Sequence, residues 1–364
     1  MKFTFVTALG PALLAVLIGL GLLNDQPAAQ TPSGVPKFEL QPRWAKVPEK
    51  WKLGDVSSVA ADAQDNIWVL HRPRTLTGAD LQSAAPPVLQ FDSNGNFLQS
   101  WGGAGSGFEW PEREHGIHVD HQSNVWIGGN NCAERMLPGL KPVDDDQLVK
   151  FTKAGKFVMQ IGRSNSSTGN ADTKNMHAPA DVFVYKNEAF VADGYGNHRV
   201  VVYDANSGGF KRMWGAFGNE PIDKDACPPP EPPPVANDGT RGPEQFGIIH
   251  AIRVSNDGLV YVGDREYKRV QVFSADGKYI NQVFINREDT KASRTTGGLA
   301  LSGDPNQTYL YTGGGQIAVL DRKTLRVLTL NAGPGGHHIG SDSKGNIYTA
   351  SGRTVQKLVF RGVS

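Results

Sequence analysis

From residue 55 onward, apolar and polar positions alternate in short runs with a period of two, and the runs are broken at Asp, Asn or Gly. That pattern predicts strands joined by tight turns, and no long window carries the 3.6-residue period of a helix. The runs are also copies of one another. A short apolar run, a polar turn and a second run ending in an aromatic and aliphatic pair occurs six times: SSVAADAQDNIWV, HGIHVDHQSNVWI, ADVFVYKNEAFV, HAIRVSNDGLVYV, GGLALSGDPNQTYLY and HHIGSDSKGNIYT, beginning at Ser57, His115, Ala180, His250, Gly297 and His337. Most copies continue into a second strand pair, as in VLQFDSNGNFLQSWG (88–102) and RVQVFSADGKYINQVF (269–284). Shorter versions at 316–330 and 354–360 complete the last two.

Six four-stranded units predict an all-β chain, a six-bladed β-propeller whose first strands line a central channel. KFEL (37–40) is placed to supply the strand that closes the ring. The propeller is assigned to residues 35–364. Residues 1–34 carry Lys2, an uncharged apolar stretch at 4–23 and small residues after it, which read as a signal peptide or an N-terminal anchor with a short linker. The protein is therefore expected to be exported, periplasmic or secreted, with membrane anchoring only through that segment. Insertions are expected at 71–87, 130–146 and 216–247. The CPPPEPPP core of the last reads as a stiff polyproline II stretch, and Asp144, Asp145 and Asp146 read as a solvated loop.

Composition narrows the partners. With 37 Lys and Arg against 36 Asp and Glu, the net charge of +1 gives no electrostatic reason for a nucleic-acid partner. A small molecule or peptide and a monomeric chain are the expectation. Cys132 and Cys227 can form one bridge in an oxidising compartment, and neither has a metal-ligand spacing.

Candidate chemistry lies at one register. His115, His250 and His337 open the second, fourth and sixth repeats, where the others carry Ser57, Ala180 and Gly297. Alternate blades of a six-fold ring stand roughly 120° apart, so three imidazoles would converge on the channel axis. Three neutral histidines are a zinc-binding set that leaves a position for water or substrate. The other six histidines (His71, His118, His121, His177, His198 and His338) lack that register and read as loop or surface residues. The turn aspartates, Asp62 and Asp120, read as structural.

A second register closes each inner hairpin, with Arg72 in WVLHRP, Arg265 in GDREYKR and Tyr195 in DGYGNHR. Arginine there can clamp a carboxylate or hold a tyrosine as phenolate. Without such help, a tyrosine pKa of about 10 makes a poor base. Arg199 and Arg269 read as ion-pair residues between blades.

These residues resemble a family. The repeats look like NHL repeats. The combination is similar to the lyase domain of peptidylglycine α-amidating enzymes, peptidyl-α-hydroxyglycine α-amidating lyase, over about residues 55–360 and most strongly in VSSVAADAQDNIWVLHR, HGIHVDHQSNVW, ADVFVYKNEAFVADGYGNHRVVVY and HAIRVSNDGLVYVGDREYKRVQVF. The resemblance implies a catalytic Zn²⁺ on His115, His250 and His337, Tyr195 as base, Arg72 supporting it, and Arg265 in the substrate site. The implied reaction cleaves the C–N bond of an α-hydroxyglycine-type carbinolamide to an amide and glyoxylate, with Arg265 or Arg72 holding the substrate carboxylate. Three positions depart from the family pattern: Gly335 stands in place of Met, His338 in place of an Asp that ligates a structural calcium, and Gly196 in place of a cysteine. One rival is a non-enzymatic NHL propeller that binds a peptide, protein or glycan. Another, a calcium-dependent lactonase or esterase, needs oxygen ligands where this chain has imidazoles.

Overall fold

In the computed structural model, residues 34–364 are described apart from 136, 223–226, 228–238 and 290–293, together with residues 1, 2 and 4. The N-terminal segment read as a signal or anchor, and the CPPPEPPP stretch beyond Cys227, lie outside the described residues. Among the described residues, no helix is long and apolar enough to cross a membrane.

Six four-stranded antiparallel sheets follow one another in chain order, and the protein is a six-bladed β-propeller. The innermost strands are Asp55–Ala61, Glu114–Val119, Asp181–Tyr185, Ile249–Val254, Gly298–Leu301 and Ile339–Ser341. Each touches the innermost strand of the next blade, and the first touches the sixth. The ring is closed as the KFEL run suggested. Pro36–Gln41 pairs with Thr354–Val363 as the outermost strand of the sixth blade, so both ends of the propeller are stitched into one sheet.

The inner hairpins of the first, second and sixth blades share a side-chain-capped turn. The Asp62 carboxylate accepts from the backbone N–H of Gln64 and Asn66 and from Trp68 Nε1, at 3.0, 2.9 and 3.1 Å. Asp120 repeats this with Gln122, Asn124 and Trp126, and Asp342 with Lys344, Asn346 and the Tyr348 hydroxyl. The recurring Asp, Asn and aromatic are therefore one hydrogen-bonded unit that satisfies the turn's backbone donors and fixes the aromatic between blades. The aromatics at this position in the six blades, Trp68, Trp126, Phe190, Tyr261, Tyr311 and Tyr348, are almost wholly excluded from solvent. The apolar clusters fill the wedges between neighbouring blades. One joins Phe190, Val200 and Val202 of the third blade to Ile252, Val260 and Phe273 of the fourth.

Two expectations about polar groups change. Arg199 pairs with Asp193 at 2.9 Å and Arg269 with Asp264 at 3.0 Å, and all four side chains are fully buried. Each pair spans adjacent strands of a single blade, not two blades. The remaining guanidinium nitrogens donate to carbonyls of the loop leading into that blade, Asn170, Asp172 and Asn175 for Arg199, and Pro243 and Gln245 for Arg269. A buried arginine needs this full set of acceptors to offset its desolvation. The Asp144–Asp146 stretch is likewise not a solvated loop: Asp145 and Asp146 are buried. Asp145 accepts from the backbone N–H of Glu112, Arg113 and Asn131, and burial still pushes its carboxyl up to about 7.

Candidate metal centre and active site

The registered positions sit where the inner strands depart from regular pairing. Register shifts fall between Val56 and Ser58, Glu114 and Ile117, and Ile249 and Ala251, so Ser57, His115 and His250 lie at bulges. A bulge re-aims its side chain out of the pleat, here into the channel mouth. The rings of His115, His250 and His337 converge, with centroids 4.7 to 4.9 Å apart.

The blades without histidine complete the arrangement. His115 Nδ1 donates to Ala180 O at 2.7 Å, His250 Nδ1 to Gly297 O at 2.5 Å, and His337 Nδ1 to Ser57 O at 2.7 Å. The three acceptors occupy the same register in the next blade round the ring. Because a carbonyl only accepts, each Nδ1 carries the proton and each Nε2 presents a lone pair. Burial holds His115 and His250 well below the ordinary imidazole pKa. Neighbouring imidazoles add to this for His115, and Arg265 for His250, so both are in the neutral form a metal requires. Gly116 permits the close approach: a Cβ there would meet Ala180 O at 2.7 Å.

Tyr195 is buried and reaches the same point. Its hydroxyl lies 3.1 Å from both His115 Nε2 and His250 Nε2, and Arg265 Nη1 donates to it at 2.9 Å. Arg265 is in turn paired with Glu266. Arg72 is held by a bond from Nε to Glu114 O at 2.8 Å, while its buried Nη2 has no partner among the described residues. The partner of the tyrosine oxygen is thus Arg265, and the guanidinium with a buried nitrogen lacking a partner among the described residues is Arg72. Burial and then the charge of Arg113 bring Arg72 down to about 10.

Several nearby groups carried no register signal. Arg135 lies over the Tyr195 ring at 5.6 Å, and Arg113 donates to Asn130 Oδ1 at 2.9 Å. The disulfide between Cys132 and Cys227 packs with Ala178, Ala180 and Ile248 against Tyr195. A cavity of about 610 Å³ opens beside the imidazoles, walled by His250, His337, Arg265, Arg294, Ile285 and Leu330. Two arginines, Arg265 and Arg294, and a partly apolar wall suit an anionic organic molecule better than a cation.

The unregistered histidines need correction. Only His121 is exposed. His71 is buried, accepting from Gly54 N and donating to Pro86 O, each at 3.0 Å. His198 is buried and donates to Gly247 O at 2.6 Å. His118 packs on Phe183, and the His177 ring covers Gly196, where a Cβ would lie 2.3 Å from it. His338 is buried among the three registered rings, its donor atoms within 4.8 Å of theirs, and neither of its nitrogens has a hydrogen-bond partner among the described residues. Gly335 is explained by crowding, since a Cβ there would lie 2.3 Å from Gly314 O.

The donor set fits a transition metal of the zinc type. The imidazole nitrogens of His115, His250 and His337 face one point, their outer nitrogens are anchored on carbonyls, and among the described residues no carboxylate joins the cluster.

The chain's relatives include peptidyl-glycine alpha-amidating monooxygenases and NHL repeat proteins. It is 26% identical over 281 residues to peptidyl-glycine alpha-amidating monooxygenase A of Xenopus laevis, a match covering 71% of this chain and 26% of that protein. It is 29% identical over 164 residues to the Caenorhabditis elegans "probable peptidyl-alpha-hydroxyglycine alpha-amidating lyase", covering 44% and 37%. NHL repeat-containing protein 3 of Mus musculus is 25% identical over 248 residues, covering 66% and 58%. The chain thus spans about a quarter of the length of the monooxygenases it matches. No family model matches it. Among solved structures, a streptogramin B lyase superposes with a TM-score of 0.50 at 11% identity, covering 89% of this chain and 98% of the other, a likeness of fold alone.

Proposed function

We propose that the protein is an exported, zinc-dependent lyase that cleaves an α-hydroxyglycine-type carbinolamide to an amide and glyoxylate. The observation that carries this reading is the meeting of His115, His250 and His337 with the Tyr195 hydroxyl, itself bonded to Arg265. His115, His250 and His337 would hold the ion, which when bound supplies Lewis-acid polarisation of the substrate's α-hydroxyl. Arg265 stabilises negative charge on the Tyr195 oxygen, so that oxygen can take the hydroxyl proton. As the C–O bond becomes a carbonyl, the C–N pair leaves with the amide nitrogen, which receives the proton. The products are a primary amide and glyoxylate. Arg72, with its uncommitted Nη2, is the group to hold the substrate carboxylate, and the 610 Å³ cavity has room for the acyl portion. The similarity to a "probable peptidyl-alpha-hydroxyglycine alpha-amidating lyase" supports the reaction class, and the Cys132–Cys227 disulfide supports an oxidising compartment.

The test is to purify the protein, measure bound zinc and assay glyoxylate release from α-hydroxyhippurate. One zinc per chain with turnover abolished by chelation is expected. Full activity in folded, metal-free protein would defeat the mechanism. The second reading, a propeller that binds a peptide, protein or glycan without turnover, draws on the NHL repeat-containing relatives. Absence of stoichiometric metal would favour it.

A further inference from the structure

Along the inner strands, residue number increases from the mouth of the channel to its far end. His250 and His337 wall the cavity at the mouth, and Arg253 and Gly340, three residues on from each, wall a second cavity of about 250 Å³ at the other end. His338 therefore lies one step inside the mouth. A regular strand would turn it away from the face that His337 uses, since side chains alternate. In the sixth blade the His337 N–H donates to Ala350 O at 2.7 Å and the Ala350 N–H donates to His338 O at 3.0 Å, so two residues face one partner as in a β-bulge, and both rings enter the channel.

We infer that His338 supplies a fourth imidazole to the metal centre, from the channel side, leaving the remaining position on the Tyr195 side for substrate. This rests on the reading that His115, His250 and His337 hold an ion. Two independent observations carry it. The first is the spacing of the rings. The His338 centroid lies 5.2, 4.7 and 5.2 Å from those of His115, His250 and His337, close to the 4.7 to 4.9 Å among the three themselves. Imidazoles sharing one ion at about 2.0–2.1 Å have ring centres about 5 Å apart, so all four fit around a single point. The second is polar satisfaction. His338 is wholly buried, yet neither nitrogen is hydrogen-bonded among the described residues. Buried polar nitrogens are paired in the great majority of cases, and burying one without a partner is costly. The other three rings each spend Nδ1 on a carbonyl, and an ion shared by all four would take the lone-pair nitrogen of His338, one of its two unpartnered nitrogens.

The consequence is chemical. In the family that the sequence resembles, an Asp at this position ligates calcium, whereas an imidazole is a poor calcium ligand and a good one for zinc, copper or nickel. Four neutral ligands also leave the full divalent charge on the ion, and a catalytic zinc can expand to five ligands as substrate arrives.

X-ray absorption on the full-length protein loaded with one equivalent of Zn²⁺ counts the imidazoles in the wild type. Four are expected, and three would overturn the inference. Competitive titration then compares Zn²⁺ affinity in the wild type and His338→Ala, and Co²⁺ loading compares their visible spectra. Removing a direct ligand should weaken binding more than about 100-fold, beyond the 10–100-fold typical of an outer partner, and change the Co²⁺ spectrum. An unchanged affinity and spectrum in a folded variant would overturn the inference while leaving the lyase reading intact. A wild type that binds no zinc would overturn both. Should His338→Ala fail to fold, the imidazole count in the wild type decides alone.

Discussion

Replacing Gly116 by alanine isolates the contact on which the centre's geometry depends. Gly116 lies outside the left-handed backbone region, so alanine is conformationally allowed and the effect is one of space. The new Cβ would sit 2.7 Å from Ala180 O and 3.0 Å from the Asp181 Cα. Both are backbone atoms of the neighbouring inner strand and cannot rotate aside. The second and third blades must part by about 0.5 Å to restore van der Waals distance. Overpacking of this kind costs about 1–3 kcal/mol. The same Ala180 carbonyl receives the His115 Nδ1 proton at 2.7 Å, so the separation also loosens that imidazole. Loss of an outer-sphere anchor typically weakens metal binding about 10–100-fold. Gly315→Ala is the control, because a Cβ there meets nothing within 4 Å; its change should stay within about 0.5 kcal/mol. Urea unfolding with an unchanged m-value measures the first effect, and competitive zinc titration the second. A Gly116→Ala protein with wild-type midpoint and wild-type zinc affinity would refute the close-approach argument.

Acid should unfold the protein partly through His71, which burial holds down to about 4 from an ordinary 6.5. Because the folded value is the lower one, the unfolded chain takes the proton first; stability is full above pH 6.5 and falls toward pH 4, by up to about 3 kcal/mol. Urea midpoints between pH 7 and 4.5 should fall less steeply in His71→Gln, and an identical slope would exclude His71 as the cause. Arg265→Gln should lower turnover about 10²–10³-fold, with Arg265→Lys between it and the wild type, as measured by glyoxylate release. Removing the disulfide with Cys132→Ser and Cys227→Ser opens a loop closed across 95 residues and should cost about 2–4 kcal/mol in non-reducing denaturation. Since both cysteines pack with Tyr195, turnover should fall as well.

The blades were legible because their signal is repeated and local. Alternation marks each strand, and the Asp–Asn–aromatic unit marks the inner turns of the first, second and sixth blades, where its carboxylate takes up the turn's backbone donors. The closing strand was legible as well, since a ring leaves one apolar run without a partner. What escaped has a common cause, which is that register assumes regular pleating. His338 is one residue out of step with the register, yet it and His337 face the single residue Ala350, as in a bulge. Arg113 and Arg135 lie in the segments that flank the second blade's inner hairpin, where no period ties position to direction. Arg72 and Arg265 were placed at the right rim, but which one reaches the tyrosine depends on side-chain course, to which spacing is blind. The Arg199 and Arg269 ion pairs follow the same limit: an alternating pattern shows that a charge is buried, not which strand holds its partner.

The alternation of histidine and small residue also has a reason that the histidines alone do not explain. Ser57, Ala180 and Gly297 looked like blades in which the site was missing. Their carbonyls are instead the acceptors that keep the proton on Nδ1 and leave Nε2 with its lone pair on the preceding histidine. A large side chain at any of the three would compete with the neighbouring imidazole for the channel, so the small residue and the histidine are two halves of one device repeated three times. A ring of six identical histidine blades would crowd the axis and leave no small partner at that register. Six blades with none would leave the carbonyls without donors. The period-two alternation around the ring is therefore itself the sequence signature of a three-fold arrangement of imidazoles, which the His338 ring, one residue on from His337, joins from the channel side.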